Sequence, residues 1–317
     1  MSQTFATSGT HPLFASTALP GVNGGVLDLV GNTPCVDVSN LSPNPDVRIV
    51  AKLEMQNPFG SVKDRIAKAM IEAAEADGTL SPGQTIIEPS SGNTGIALAA
   101  IARLKGYPIK ILLPESVSIE RRQMLEIMGA EVILTPGAEG SNGAVRRATE
   151  MAAEHPEWRL IYQYGNEANP AAHEFGTALG IVRDWPLEAP PDHFLCAYGT
   201  GGTITGNSRG LRTHYPDIAV HSVEEDLNDT IGGMRNQEDP FQPPVADFGL
   251  VKDRYVIGRT QAEAKVQEIM AEEGYFVGTS AGAVIEAAQR ELSKHGGTAV
   301  VILPDAGWKY LSGNPWQ

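Results

Sequence analysis

Positive charge is scarce in this chain and arrives late. Its 317 residues hold 24 Lys and Arg against 38 Asp and Glu, a net charge of −14. Such a surface repels the phosphates of nucleic acid and of anionic membranes. The first basic residue is Arg48. The stretch before it has neither the n-region of a signal peptide nor the arginines of a transit peptide, which points to the cytoplasm. No apolar run is long enough to span a bilayer. Cysteine is nearly absent too: Cys35 and Cys196 stand alone, which excludes a disulfide framework and a cysteine zinc cluster. The seven histidines are scattered without metal-ligand spacing, so packing or surface roles are expected for them and no metal site. There is no short-period repeat. What is present is an ordinary globular composition, 42% hydrophobic and 20% charged, in a length that suggests about two domains.

Residues 1–25 are rich in Ser, Thr, Gly and Pro and read as a flexible arm. Gly31-Asn32-Thr33-Pro34 is a turn into a short strand over residues 35–38, and residues 48–53 form a second strand. Strand-like runs then recur at 85–88, 109–113, 132–134, from 160 onward, at 194–198, 275–277 and 298–303. The intervals carry helical patterns near 66–74, 96–105, 119–128, 143–154 and 171–184, with more after 203, 260 and 280. Thr260 and Glu263 have the spacing of a capping box. Residues 224–250, acidic and Pro-rich, give no clear pattern. Strands alternating with helices of this length indicate βαβ units around a parallel sheet, an α/β fold.

The lysine stretch Asn57-Pro58-Phe59-Gly60-Ser61-Val62-Lys63-Asp64-Arg65 breaks a local rule. Ser61 reads as the N-cap of a helix whose apolar face is Ile66, Ala69, Met70, Ala73 and Ala74. Lys63 then lies where the helix dipole is positive, which pushes its amine toward the neutral, nucleophilic form. Read alone, the stretch favours a solvated surface lysine followed by Asp64 and Arg65. Three further strand-to-helix turns are built from small residues. Ser90-Ser91-Gly92-Asn93-Thr94-Gly95 has hydroxyls and free N–H groups suited to a carboxylate. Gly199-Thr200-Gly201-Gly202-Thr203 has amides suited to a phosphate, without a Walker lysine or a dinucleotide Gly frame. Gly278-Thr279-Ser280-Ala281-Gly282-Ala283 leaves room for something flat against the backbone. All four lie at strand carboxyl ends, where an α/β sheet forms its crevice.

With these motifs in this order, the chain resembles pyridoxal-phosphate enzymes of the cysteine synthase (O-acetylserine sulfhydrylase) family, fold type II, from about Gly31 to its end. Residues 114–123, with Glu120-Arg121-Arg122, resemble the cysteine synthase B branch. The resemblance implies two α/β domains, each an open, mostly parallel, twisted sheet flanked by helices. The smaller would span 54–160 and carry the substrate loop. The larger would combine 26–53 with 161–317 and carry the phosphate site. It implies that Lys63 holds pyridoxal 5'-phosphate and moves the substrate Cα proton. Gly199, Thr200, Gly201, Gly202 and Thr203 would bind the cofactor phosphate, Asn93 the ring hydroxyl, and Ser280 the pyridine nitrogen. Ser90, Ser91, Gly92, Thr94 and Gln163 would hold the substrate carboxylate. The reaction implied is β-replacement on an activated serine through an α-aminoacrylate, with a sulfur nucleophile giving L-cysteine. Partners implied are a second copy of the chain and a serine acetyltransferase tail or a sulfur-carrier protein.

Four departures from the family pattern stand out. Ser90 takes the place of a threonine and Cys35 that of a leucine. Glu224-Glu225-Asp226 is unusually acidic for what is expected at the active-site mouth. Arg235 lies where some members of the branch carry an arginine near the leaving group; an arginine suits a phosphate, so O-phosphoserine rivals O-acetylserine unless Arg235 is paired with Glu238 or Asp239. Cystathionine β-synthase, a serine/threonine dehydratase and a non-catalytic cofactor-binding regulator are the other readings these motifs permit.

Overall fold

The computed structural model of the protein describes residues 23–90, 92–117, 119–313 and 316. The arm expected over 1–25 falls almost wholly outside them. Two sheets organise the chain, with strands and helices numbered in chain order. The first holds, in spatial order, β1 (Cys35–Asp37), β2 (Arg48–Leu53), β10 (Thr298–Leu303), β7 (His193–Ala197), β8 (Ala219–Glu225) and β9 (Asp253–Ile257). Only β1 runs antiparallel, against β2; β10 pairs with β2 in register from Thr298 opposite Arg48 to Leu303 opposite Leu53. The second sheet is wholly parallel: β5 (Glu131–Thr135), β4 (Ile109–Pro114), β3 (Ile86–Pro89) and β6 (Arg159–Leu160).

Strand side chains alternate in direction, and both faces of both sheets are covered, which is why the strands read as continuous apolar runs. In the six-stranded sheet Leu195, Val223 and Val301 pack under α8 (Arg259–Glu273) and α9 (Thr279–His295). Their neighbours Phe194, Cys196, Val300 and Ile302 pack on the other face against α6 (Ala178–Asp184) and α7 (Gly202–His214). In the four-stranded sheet Ile86, Ile111 and Leu113 meet α1 (Lys63–Ala76), α2 (Asn93–Lys105) and α3 (Ile119–Ile127), while Ile87 and Leu112 meet α4 (Gly140–Glu154). Each such fully buried aliphatic side chain contributes roughly 1.5–3 kcal/mol. Among the described residues no helix is long and apolar enough to cross a membrane.

Several local expectations shift. Residues 275–277 make no strand, only a single bridge from Val277 to Ala306, because Gly278 begins the entry into α9 at once. The capping box expected at Thr260 and Glu263 is not the helix start: α8 begins at Arg259, Gly258 donates to Gln261 Oε1, and Asp229 Oδ2 accepts the Thr260 N–H at 2.9 Å. A carboxylate from a distant loop does the capping, which sequence spacing does not reveal. The strand read from 160 onward stops at Leu160, because Tyr162 takes a positive φ of 59°. The helix expected over 171–184 starts earlier, at α5 (Ala168–Ala172), and passes through a π-helical turn over His173–Thr177 before α6. Such turns recur at functional sites. On α1, Ala67 and Ile71 are buried while Ala69 is only half-buried and Ala73 is exposed, so the buried face is rotated from the expected one.

Candidate active site

Lys63 is the first residue of α1, and the chain before it is held by a buried charge network. Arg65 donates from Nε and NH2 to both oxygens of Glu54 (2.7 and 2.8 Å), and from NH2 to Thr33 Oγ1 and the Gly31 carbonyl. Thr33 and Asn57 also donate to Glu54. The Gly31-Asn32-Thr33-Pro34 motif therefore acts as a brace for the lysine loop rather than as a ligand site. Burial alone would raise the Glu54 carboxyl; Arg65 and these hydrogen bonds outweigh it and hold the group below its ordinary value. The N-cap of α1 is Val62 rather than the expected Ser61, although Ser61 Oγ accepts the Lys63 N–H at 3.2 Å, and Asp64 accepts the Phe59 N–H at 2.6 Å.

The Lys63 side chain faces a cavity of about 490 Å³. Among the described residues its amine has no hydrogen-bond or ion-pair partner. Burial pushes its pKa down and the Asp305 carboxylate opposes this. The direction is the one expected from the helix dipole, but the larger physical cause is desolvation.

The expected residues converge on this cavity. Ser90, Gly92, Asn93, Thr94, Gln163, Gly199, Thr200, Thr203, Arg235 and Ser280 all line it with Lys63; Ser91 lies outside the described residues. Ser90 Oγ accepts the Gly95 N–H at 2.8 Å, and Thr94 donates to Gln163 Oε1 at 2.7 Å. Gln163 is placed by Glu88, which accepts the backbone N–H groups of Tyr162 (2.6 Å) and Gln163 (3.0 Å). The positive φ at Tyr162 thus serves to turn the chain toward the cavity. Burial raises the Glu88 carboxyl to about 7 despite those two N–H donors.

The loop after β7 leads into the start of α7. Gly201 has φ +84°, and a Cβ there would overlap Ala246, while one at Gly202 would overlap the Asn169 side chain. Only glycine lets the backbone N–H groups lie open at the helix N-terminus. Thr200 Oγ1 accepts from Asn169 Nδ2 at 3.1 Å, and Thr203 Oγ1 meets His173 Nε2 at 3.3 Å. The π-helical turn thus puts His173 beneath the glycine loop. Ser280 stands in the first turn of α9, and among the described residues its hydroxyl has no protein partner.

Arg235 is buried at the far wall. It donates to Asp239 (2.9 Å) and to Asn142 (3.2 Å), and its guanidinium lies 5.3 Å from the Tyr164 ring centroid and 5.0 Å from that of Phe241. The pairing with Asp239 largely neutralises it. Glu224 is not at the mouth: it is fully buried and ion-paired with Arg254, whereas Glu225 lines the cavity.

Sequence reasoning missed one wall. Asn93 donates to Asp305 Oδ2 (2.7 Å) and accepts from Lys309 Nζ (2.7 Å), and Tyr310 donates to the same Asp305 oxygen (2.6 Å). The signal was available: Pro304-Asp305-Ala306-Gly307 follows β10 and is one more small-residue turn at a strand carboxyl end.

This arrangement fits pyridoxal phosphate. It offers a desolvated, unpartnered amine, a glycine cradle at a helix N-terminus and an unengaged neutral hydroxyl, all around one cavity. The comparisons agree. The family model described as "Pyridoxal-phosphate dependent enzyme" matches residues 26–305. A cysteine synthase of Staphylococcus aureus is 38% identical over 297 residues, covering 90% of this chain and 95% of that protein. The crystal structure of a cysteine synthase from Entamoeba histolytica superposes with a TM-score of 0.86 at 32% identity, over 95% of this chain and 93% of that one. That of an O-acetylserine dependent cystathionine β-synthase from Helicobacter pylori gives 0.81 at 33%, over 90% and 96%. The chain belongs to the pyridoxal-phosphate dependent enzyme family.

Proposed function

We propose that the protein is a cysteine synthase that replaces the acetoxy group of O-acetyl-L-serine by a sulfur nucleophile. The observation that carries this is the Lys63 amine, desolvated and unpartnered in a cavity shared with the Ser90–Thr94 turn and Ser280. The cofactor, when bound, supplies an electron sink that makes the substrate Cα proton acidic and the β-substituent labile. This chain's residues do the rest. Lys63 holds the cofactor and shuttles the Cα proton at Nζ, with burial favouring the neutral, basic amine. Residues 199–203 hold the phosphate, Asn93 is fixed by Asp305 and Lys309 toward the ring, and Ser280 meets the ring nitrogen without adding charge. Ser90, Ser91, Gly92, Thr94 and Gln163 form the carboxylate pocket. We assign the two sheets to two domains, 54–160 and 26–53 with 161–317, with this cavity between them.

The ion pair of Arg235 and Asp239 supports an uncharged acetyl ester over a dianionic phosphate, because the Asp239 carboxylate would repel the latter. The test is product analysis with sulfide and either O-acetylserine or O-phosphoserine. Cysteine from the acetyl ester at higher kcat/KM supports the assignment, and preference for the phosphate ester contradicts it. A second reading, cystathionine synthesis from O-acetylserine and homocysteine, is favoured by the similarity to the H. pylori enzyme and is tested by offering homocysteine in place of sulfide. A cytoplasmic homodimer belongs to the same proposal. The exposed Phe175 and Leu179, four residues apart on one helix, offer an apolar surface for it, and sedimentation checks it.

A further inference from the structure

Among the described residues, one group of His, Cys, Asp or Glu side chains converges closely enough to hold a metal ion: His193, His221 and Glu291, all buried. It lies at the far end of the six-stranded sheet from the cavity. His193 opens β7, and His221 is the third residue of β8. The register pairs Leu195 with His221, so both rings project from the face that α9 covers. Glu291 comes down onto them from the last turns of α9, whose first turn carries Ser280.

The atoms that converge are His193 Nδ1, His221 Nε2 and Glu291 Oε1. They are 3.1, 3.3 and 3.7 Å apart. Ligands held about 2.1 Å from a tetrahedral zinc ion are separated by about 3.4 Å, and around an octahedral ion by about 3.0 Å. This triangle brackets the tetrahedral value. The polar accounting points the same way. A single proton satisfies the contact between the two rings, yet Glu291 Oε1 is buried with no hydrogen-bond partner, and a buried carboxylate oxygen without a donor is costly. The outer groups are those that orient metal ligands. Among the described residues His221 Nδ1 is likewise buried with no hydrogen-bond partner, and Asp253 Oδ2 stands 3.3 Å away, near enough to take its proton once a metal occupies Nε2. Tyr255 donates to the other Glu291 oxygen.

We propose that His193, His221 and Glu291 form a site for a zinc ion or a similar late first-row divalent cation, with Asp253 and Tyr255 as its outer shell. Two imidazoles and one carboxylate suit such an ion and suit magnesium or calcium poorly. A water takes the fourth position. The site ties β7 and β8 to α9 and so joins the starts of those strands to the helix that carries Ser280.

The test uses the cofactor-loaded enzyme, freed of metal by a chelator and titrated with zinc chloride. One zinc ion per chain retained through gel filtration, with the thermal midpoint raised by several degrees, is expected. Asp253→Asn, at a half-exposed position, is expected to weaken zinc binding at least about tenfold, and Glu291→Gln to abolish retention. Should Glu291→Gln fail to fold, cobalt(II) in the wild-type protein decides: intense visible bands of a tetrahedral ion, displaced by one equivalent of zinc, are expected. No retained zinc overturns the proposal and leaves a cluster that shares protons only. Equal retention by wild type and Asp253→Asn, or a pale octahedral cobalt spectrum, overturns it as well by placing the ion elsewhere.

Discussion

The two ends of the six-stranded sheet carry polar clusters built on opposite principles. At the carboxyl ends of β2, β7 and β10, loops of small residues hold an open cavity, and among the described residues Lys63 is left without a partner. At the opposite end, His193 from the start of β7, His221 from within β8 and Glu291 from α9 are all buried. α9 spans both, with Ser280 in its first turn and Glu291 eleven residues later, roughly 16 Å along its axis. The open end does chemistry because its groups keep unused valences facing a ligand. The closed end buries its three side chains against one another, and whatever it holds acts on stability.

Removing Lys63 is the largest expected break in that comparison. Lys63→Ala should lower turnover by at least about 10³-fold with little loss in thermal midpoint, since the amine makes no bond to any described residue; a steady-state assay beside a melting curve reads both. Glu291→Gln should do the converse, moving the melting curve while kcat stays within about twofold.

Next in size is the brace behind the lysine. Arg65→Met strands the Glu54 carboxylate and should cost about 3–5 kcal/mol in denaturant unfolding at pH 7. Glu54 has a depressed folded pKa, so its stabilisation is present above the ordinary value of 4.5 and lost as pH falls through the lower folded one. The gap between wild type and variant should therefore narrow in acid.

Glu88 runs the other way. Its folded pKa is raised from 4.5 to about 7, so the folded state binds the proton more tightly. Stability from this group is full below 4.5 and lost as pH rises through 7. Glu88→Gln should gain on wild type across that window, by up to about 3 kcal/mol; parallel melting curves from pH 4 to 8 that keep a constant gap would count against burial as the cause.

The smallest effect sharpens the substrate assignment. Asp239→Asn frees the Arg235 guanidinium and should shift the ratio of kcat/KM values toward O-phosphoserine by about tenfold. An unchanged ratio would show that Arg235 does not face the leaving group.

How much of this was legible in the sequence follows the same division. Lys63, the Ser90–Gly95 turn and the Gly199–Thr203 loop were readable because each is a contiguous strand–turn–helix unit whose local chemistry is unusual. Asp305, Lys309 and Tyr310 were less legible although Pro304 to Gly307 has the same form, because the turn is acidic and its partners Lys309 and Tyr310 lie beyond it rather than within it. The caps were misplaced where a distant side chain does the work, as Asp229 does for α8. His193, His221 and Glu291 are 28 and 70 residues apart in sequence, and only the order β7-β8 beneath α9 brings them together. The Tyr162 backbone and the π-helical turn at His173 left no compositional trace.

The visible absorption spectrum of the purified protein, recorded beside that of Lys63→Ala and again after adding O-acetylserine, tests the central claim most directly. The account predicts a yellow protein whose band depends on Lys63 and changes on adding O-acetylserine, with recovery when sulfide follows. A colourless protein that cannot be reconstituted with pyridoxal phosphate, or a band indifferent to Lys63→Ala, would contradict it.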